Sequence, residues 1–193
     1  IPSWALGAGG TRFGRFSFYG EPSNLEQKID DIGVLHSLTQ TAGAVSLHIP
    51  WDIPSDYNAI KEQADALNIK FDSVNSNTFQ DQKDVKESYK YGSLSNTSQA
   101  VRDQAIQHNL DVIEIGNKLG SKSLTVWLAD GSCFPGQNNF QTAFQNTQNS
   151  LKDIYKGLPG DWSLLIEYKP YEPNFYSTVI QDWGASLMLA NEC

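Results

Sequence analysis

Short apolar runs alternate with longer amphipathic stretches along the 193 residues. That order is the signature of repeated βα units around a parallel sheet, and five such units are predicted. Ser3-Trp4-Ala5-Leu6 reads as a first strand running into Gly7-Ala8-Gly9-Gly10, where missing Cβ atoms permit positive φ. A helix follows from about Asn24, which can cap Leu25 onward, with Ile29, Ile32, Leu35 and Leu38 at helical spacing.

The second unit pairs a strand over Val45–Ile49 with a helix near Asp56–Leu67, and the third opens with Lys70–Asn75. A polar connection over about 79 to 98 comes next. It exceeds the usual loop length, so it either carries a short helix or serves a functional surface. The fourth unit has a helix from about Ser98 to Leu119, with apolar Ala105, Leu110, Ile113 and Ile115 and a stop at Gly120. A strand at Ser123–Leu128 and a helix near Asn139–Tyr155 follow. After the breaker Gly157-Leu158-Pro159-Gly160-Asp161 come a strand at Ser163–Tyr168 and a helix over about Ser177–Ala190. No repeat of similar letters recurs, so the repetition is structural. Five units fit an open doubly wound sheet or part of a barrel equally well.

Composition narrows the class. With 39% hydrophobic and 19% charged residues the chain is globular, and one domain over 1–193 is expected. The net charge of −8 and isoelectric point near 4.7 repel phosphate backbones and anionic lipid, and no basic cluster offsets them. Nucleic-acid and membrane partners are therefore not expected. The apolar runs are shorter than the roughly 18 residues of a spanning helix, and Ile1-Pro2-Ser3-Trp4 is no signal peptide. A soluble, cytoplasmic protein is the expectation. Cys133 and Cys193 are the whole thiol inventory, too sparse for a disulfide scaffold or structural zinc, and are read as unpaired.

In either parallel architecture ligands gather at the carboxyl ends of the strands. Those ends read His48-Ile49-Pro50-Trp51-Asp52, Asn75-Ser76-Asn77, Trp127-Leu128-Ala129-Asp130 and Glu167-Tyr168-Lys169-Pro170. Glu167 and Lys169 are two apart on a strand, so both leave the same face and are expected to point inward together. They read either as a structural ion pair or as a metal-ligand glutamate beside a lysine that polarises a substrate oxygen. His48 reads as a core histidine or, beside Trp51 and Asp52, as a functional one. Trp51 and Trp127 are core aromatics or apolar walls for sugar C–H surfaces. Asn75 and Asn77 shape a turn or touch substrate. His36 and His108 fall in helices and are read as solvated or packed. No nucleotide fingerprint is present: Gly7-Ala8-Gly9-Gly10 lacks the required spacing.

Several stretches taken together carry a resemblance: Pro2-Ser3-Trp4, Gly9-Gly10-Thr11-Arg12-Phe13, His48-Ile49-Pro50-Trp51-Asp52, Asn75-Ser76-Asn77-Thr78-Phe79, Tyr89-Lys90-Tyr91-Gly92-Ser93-Leu94, Asp130-Gly131-Ser132 and Tyr171-Glu172-Pro173. Over essentially all 193 residues the chain resembles bacterial L-rhamnose isomerases. The resemblance implies an α/β fold, a TIM (β/α)8 barrel of the xylose isomerase-like type, of which about five βα units are present. It also implies a homotetramer at full length and a pair of divalent metals, usually Mn²⁺ with Mg²⁺, Co²⁺ or Zn²⁺ as alternatives. These hold a monosaccharide while hydrogen moves between its C1 and C2.

Carried onto this chain, Glu167 matches a metal ligand, Lys169 the lysine near the sugar O1, and His48 the histidine near the ring oxygen. Trp51 and Trp127 match the pocket walls, with Asp52 and Asn75 as further substrate contacts. Phe13 matches a loop aromatic that closes a neighbouring subunit's site. An oxygen-rich site suits hard divalent cations. The remaining ligands are expected beyond Cys193, so the 193 residues alone are expected to bind metal weakly and turn over nothing. A ketose 3-epimerase of the same superfamily and a non-catalytic sugar-binding fragment are the alternatives.

Overall fold

Ser3–Ala5, expected as a strand, forms one 3₁₀ turn instead. Local bonds explain it: the Ala5 amide donates to the Pro2 carbonyl (3.0 Å) and the Leu6 amide to Ser3 (3.2 Å), so neither is left for a ladder. Pro2 makes only an isolated parallel bridge to Ser46. In this computed structural model residues 1–7, 10–11, 14–15, 19–134, 136–170 and 177–193 are described.

The elements run β1 (Gly10–Thr11), β2 (Gly14–Arg15), α1 (Leu25–Thr39), β3 (Ala44–Ile49), α2 (Tyr57–Ala66), β4 (Lys70–Ser76), α3 (Gln99–Leu119), β5 (Ser123–Leu128), β6 (Gly131–Ser132), α4 (Phe140–Lys156), β7 (Ser163–Tyr168), β8 (Ser177–Thr178) and α5 (Trp183–Glu192). Strands β3, β4, β5 and β7 form a parallel sheet in that order, each followed by a helix. The first predicted unit thus lacks its strand, while the other four stand where the pattern puts them. β1 pairs antiparallel with β2, and β6 with β8.

The chain divides into two compact units. Unit 1 comprises Ile1–Asn75 and Val112–Leu124. Its core holds Ile29, Ile32, Val45, Leu47, Ile60, Ile69 and Val74, all buried. Burial of each such side chain contributes roughly 1.5–3 kcal/mol. Asn24 caps α1 as expected, accepting from the Gln27 amide at 2.9 Å, and Asp56 caps α2. The buried face of α1 differs from the prediction. Leu35 and Leu38 are exposed, while Lys28 joins Leu25, Ile29 and Ile32 inside.

Unit 2 comprises Ser76–Asp111 and Thr125–Cys193. Leu94, Ala105, Val126, Leu151, Ile154, Ile180 and Leu189 are buried in it. The connection between β4 and α3 carries no helix, which excludes one of the two expectations for it. Polar side chains close it instead: the Tyr89 amide donates to Asp81 (2.6 Å) and the Glu87 amide to Gln104 (2.9 Å). The last helix also begins later than predicted. Ser177–Thr178 is committed to β8, with Gly131 opposite Thr178 and Ser132 opposite Ser177. α5 starts after Asp182, which accepts from the Ala185 amide at 2.7 Å.

Candidate active site

In unit 1 the carboxyl end of β3 turns sharply. His48 is buried at 8% exposure, and its ring stacks on that of Trp51, with centroids 4.1 Å apart and planes 19° apart. Trp4, on the 3₁₀ turn, meets the same imidazole edge-on at 5.4 Å and 87°. Two ring contacts on one imidazole restrict its orientation, and both indoles are half-buried.

Asp52 builds this turn. Its amide donates to the His48 carbonyl at 3.0 Å, and its carboxylate accepts from the His48 amide at 2.7 Å. The same carboxylate accepts from the Ser3 hydroxyl and pairs with the Lys28 ammonium at 2.8 Å. Asp52 is 1% exposed. Its oxygens are thus engaged within the protein. Asn75 is similarly occupied: its amide nitrogen donates to the Leu47 carbonyl at 3.0 Å, tying β4 to β3.

In unit 2 Trp127 lies on the half-buried face of β5, opposite Leu124, Val126 and Leu128. Phe79 meets the Trp127 ring edge-on at 4.6 Å and 70°, and the Lys169 ammonium stands 4.9 Å from its centroid. An ammonium over an indole face is held there by the ring's quadrupole. The Lys169 backbone is fixed too, its amide donating to Ile180 at 3.1 Å and its carbonyl accepting from the Thr178 hydroxyl. Asp130, at the end of β5, accepts from the Ser93 amide (2.8 Å) and hydroxyl (3.0 Å) and from the Ser95 amide (3.0 Å) and hydroxyl (2.7 Å).

Glu167 is exposed, on the same face of β7 as Ser163 and Leu165. Among the described residues no three His, Cys, Asp or Glu side chains are grouped to hold an ion. One carboxylate cannot fill the coordination of a hard divalent cation. The described residues alone therefore do not make a metal centre.

Phe13 lies outside the described residues. His108 is packed, as expected, its Nε2 accepting from the Asn77 amide at 3.1 Å. Cys133 and Cys193 are free and exposed. Trp4, Phe79 and Lys28 join these clusters without having been expected there. The first two carry an aromatic signal in the sequence, whereas a lysine among apolar residues is ordinarily read as solvent-facing.

No family model matches the chain. Its fold, a parallel α/β sheet whose strands are followed by helices, is similar to that of solved sugar epimerases. A structure of D-allulose 3-epimerase from Methylomonas sp. in complex with D-allulose superimposes with a TM-score of 0.63 at 13% identity, covering 99% of this chain and 57% of that one. A structure of L-ribulose 3-epimerase gives 0.64 at 12% identity, covering 100% and 55%.

In sequence, a probable sugar isomerase of Rhizobium meliloti (strain 1021) is 54% identical over 192 residues, 100% of this chain and 45% of that protein. One of Mesorhizobium japonicum (strain LMG 29417 / CECT 9101 / MAFF 303099) is also 54% identical over 192 residues, with 44% of its length covered. The chain spans a little under half the length of these relatives.

Proposed function

We propose that this chain is part of a metal-dependent aldose–ketose isomerase that interconverts L-rhamnose and L-rhamnulose and tolerates other aldoses. The observation that carries the reading is the His48 imidazole stacked on Trp51 at the carboxyl end of β3, where ligands of parallel α/β folds gather. The 54% identity to probable sugar isomerases supports it.

The roles proposed for the chain's own residues follow from their chemistry. Trp51 and Trp127 offer apolar faces to sugar C–H surfaces and exclude water. His48 hydrogen-bonds a sugar oxygen and can take up or give its proton. Lys169 brings a positive charge to an oxygen on which negative charge develops, at a position set by the Trp127 ring. Glu167 is proposed as a metal ligand, with Mn²⁺ the first candidate and the other ligands coming from outside the described residues. When bound, such an ion polarises sugar oxygens.

The second reading is a ketose 3-epimerase, favoured by the superposition on structures of D-allulose 3-epimerase and L-ribulose 3-epimerase. The full-length protein, incubated separately with L-rhamnose and with D-allulose, decides between them by chromatography of the products. L-rhamnulose from the aldose is the expected result. A C3 epimer from the ketose, with L-rhamnose untouched, overturns the first reading in favour of the second.

A further inference from the structure

We infer that the buried Lys28–Asp52 ion pair is a positioning device for His48, acting through the turn that carries it. The inference deepens the proposed function, on which its kinetic arm rests. Lys28 on α1 and Asp52 after β3 are both 1% exposed, with Nζ and Oδ1 2.8 Å apart. Removing both charges from water is costly, and a well-packed apolar pair at such a place is often as stable or more so. Stability is therefore a weak reason for these residue types, and the geometry they impose is the better one.

That geometry converges on His48. Oδ1 of Asp52 is held by Lys28, which leaves Oδ2 to accept from the His48 amide at 2.7 Å and from the Ser3 hydroxyl. Ser3 precedes Trp4, whose ring meets the imidazole edge-on, and Trp51, stacked on the imidazole, precedes Asp52. One carboxylate thus ties the backbone of His48 to both chain segments whose rings contact its imidazole. Lys28 fixes the carboxylate. A neutral or displaced residue 52 frees the 48–52 turn, and the imidazole loses its set angle.

The test uses the full-length protein with isotope-labelled histidine, the His48 signals being assigned by their loss in H48Q. The variants are K28M, D52N and the uncharged pair K28M/D52N, in which no charge is left buried alone. The expected result is that His48 signals shift in every folded variant while those of His36 and His108 stay in place. In the same variants kcat for L-rhamnose falls roughly tenfold or more, since small misplacements at a reacting centre are costly. KM changes less than about threefold, because the sugar's apolar contacts remain.

A folded variant with wild-type His48 signals and wild-type kcat overturns the inference. Failure of all three to fold also overturns it, making the pair an element of stability alone. Should the wild type leave L-rhamnose unchanged, the proposed function fails and the resonance arm still decides the positioning role.

Discussion

The Nζ of Lys28 lies 2.8 Å from Oδ1 of Asp52, with both side chains 1% exposed. Breaking a buried pair by removing one partner leaves the other charge without compensation. K28A is therefore expected to lower the unfolding free energy by about 3–5 kcal/mol, read from the urea midpoint at constant slope. A loss under about 1 kcal/mol, typical of an exposed pair, would mean that water reaches the site.

Lys169 and Phe79 both bear on the ring of Trp127, at 4.9 and 4.6 Å from its centroid. W127A removes the surface that holds the ammonium and an apolar wall together. A cation–π contact is worth about 0.5–2 kcal/mol, so KM for L-rhamnose is expected to rise roughly two- to thirtyfold. Steady-state kinetics of the full-length variant measure it, and an unchanged KM would remove Trp127 from the sugar site.

Much of the fold is legible in the order of the residues. β5 and β7 have the expected bounds because β5 lies between Gly120 and Gly131 and β7 between Gly160 and Pro170, and α1, α2 and α4 begin at visible Asn or Asp caps. The first strand fails to form because local i→i+3 bonds outcompete pairing at Ser3–Ala5. Ser177–Thr178 is a strand where a helix is predicted because its partner, Gly131–Ser132, is remote in sequence.

In each unit the aromatic cluster is legible in the sequence, as His48 and Trp51 around the end of β3 and Trp127 near the end of β5. The inner use of Asp52 is not, since its partners Ser3 and Lys28 come from distant segments and lysine seldom sits inside. Glu167 falls on its predicted strand, but its exposure depends on what lies against β7, which alternation of side chains does not specify.

Asp130 is the fastening of the connection between β4 and α3, accepting four hydrogen bonds from Ser93 and Ser95. D130A is expected to cost on the order of 3 kcal/mol, below the simple sum because the bonds act as a unit. Amide hydrogen exchange at Ser93 and Ser95 should quicken while that in α4 changes little. Unchanged exchange at those two amides would contradict the role given to Asp130.

Tyr89 supplies a pH dependence with a definite sign. Burial pushes its phenol above the usual value; the Gln104 hydrogen bond works against this, and the carboxylates of Asp81 and Asp130 add to it. The folded state therefore keeps the proton at a pH where the unfolded chain releases it. The resulting stability is fully present below about pH 10 and is lost as pH rises through the folded-state value. Urea midpoints measured upward from about pH 9 should fall more steeply for the wild type than for Y89F. Parallel curves would show that the phenol is solvated in the folded protein.

The stacked pair at the end of β3 bears the main weight of the functional reading, so His48 offers the most direct test. The measurement is kcat/KM for conversion of L-rhamnose to L-rhamnulose by full-length wild type and H48Q, with folding of both confirmed by cooperative unfolding. A residue that handles a proton or binds the reacting sugar oxygen is worth roughly 10²–10⁴-fold, and a loss in that range is predicted. Wild-type turnover retained by H48Q to within about threefold would contradict the account.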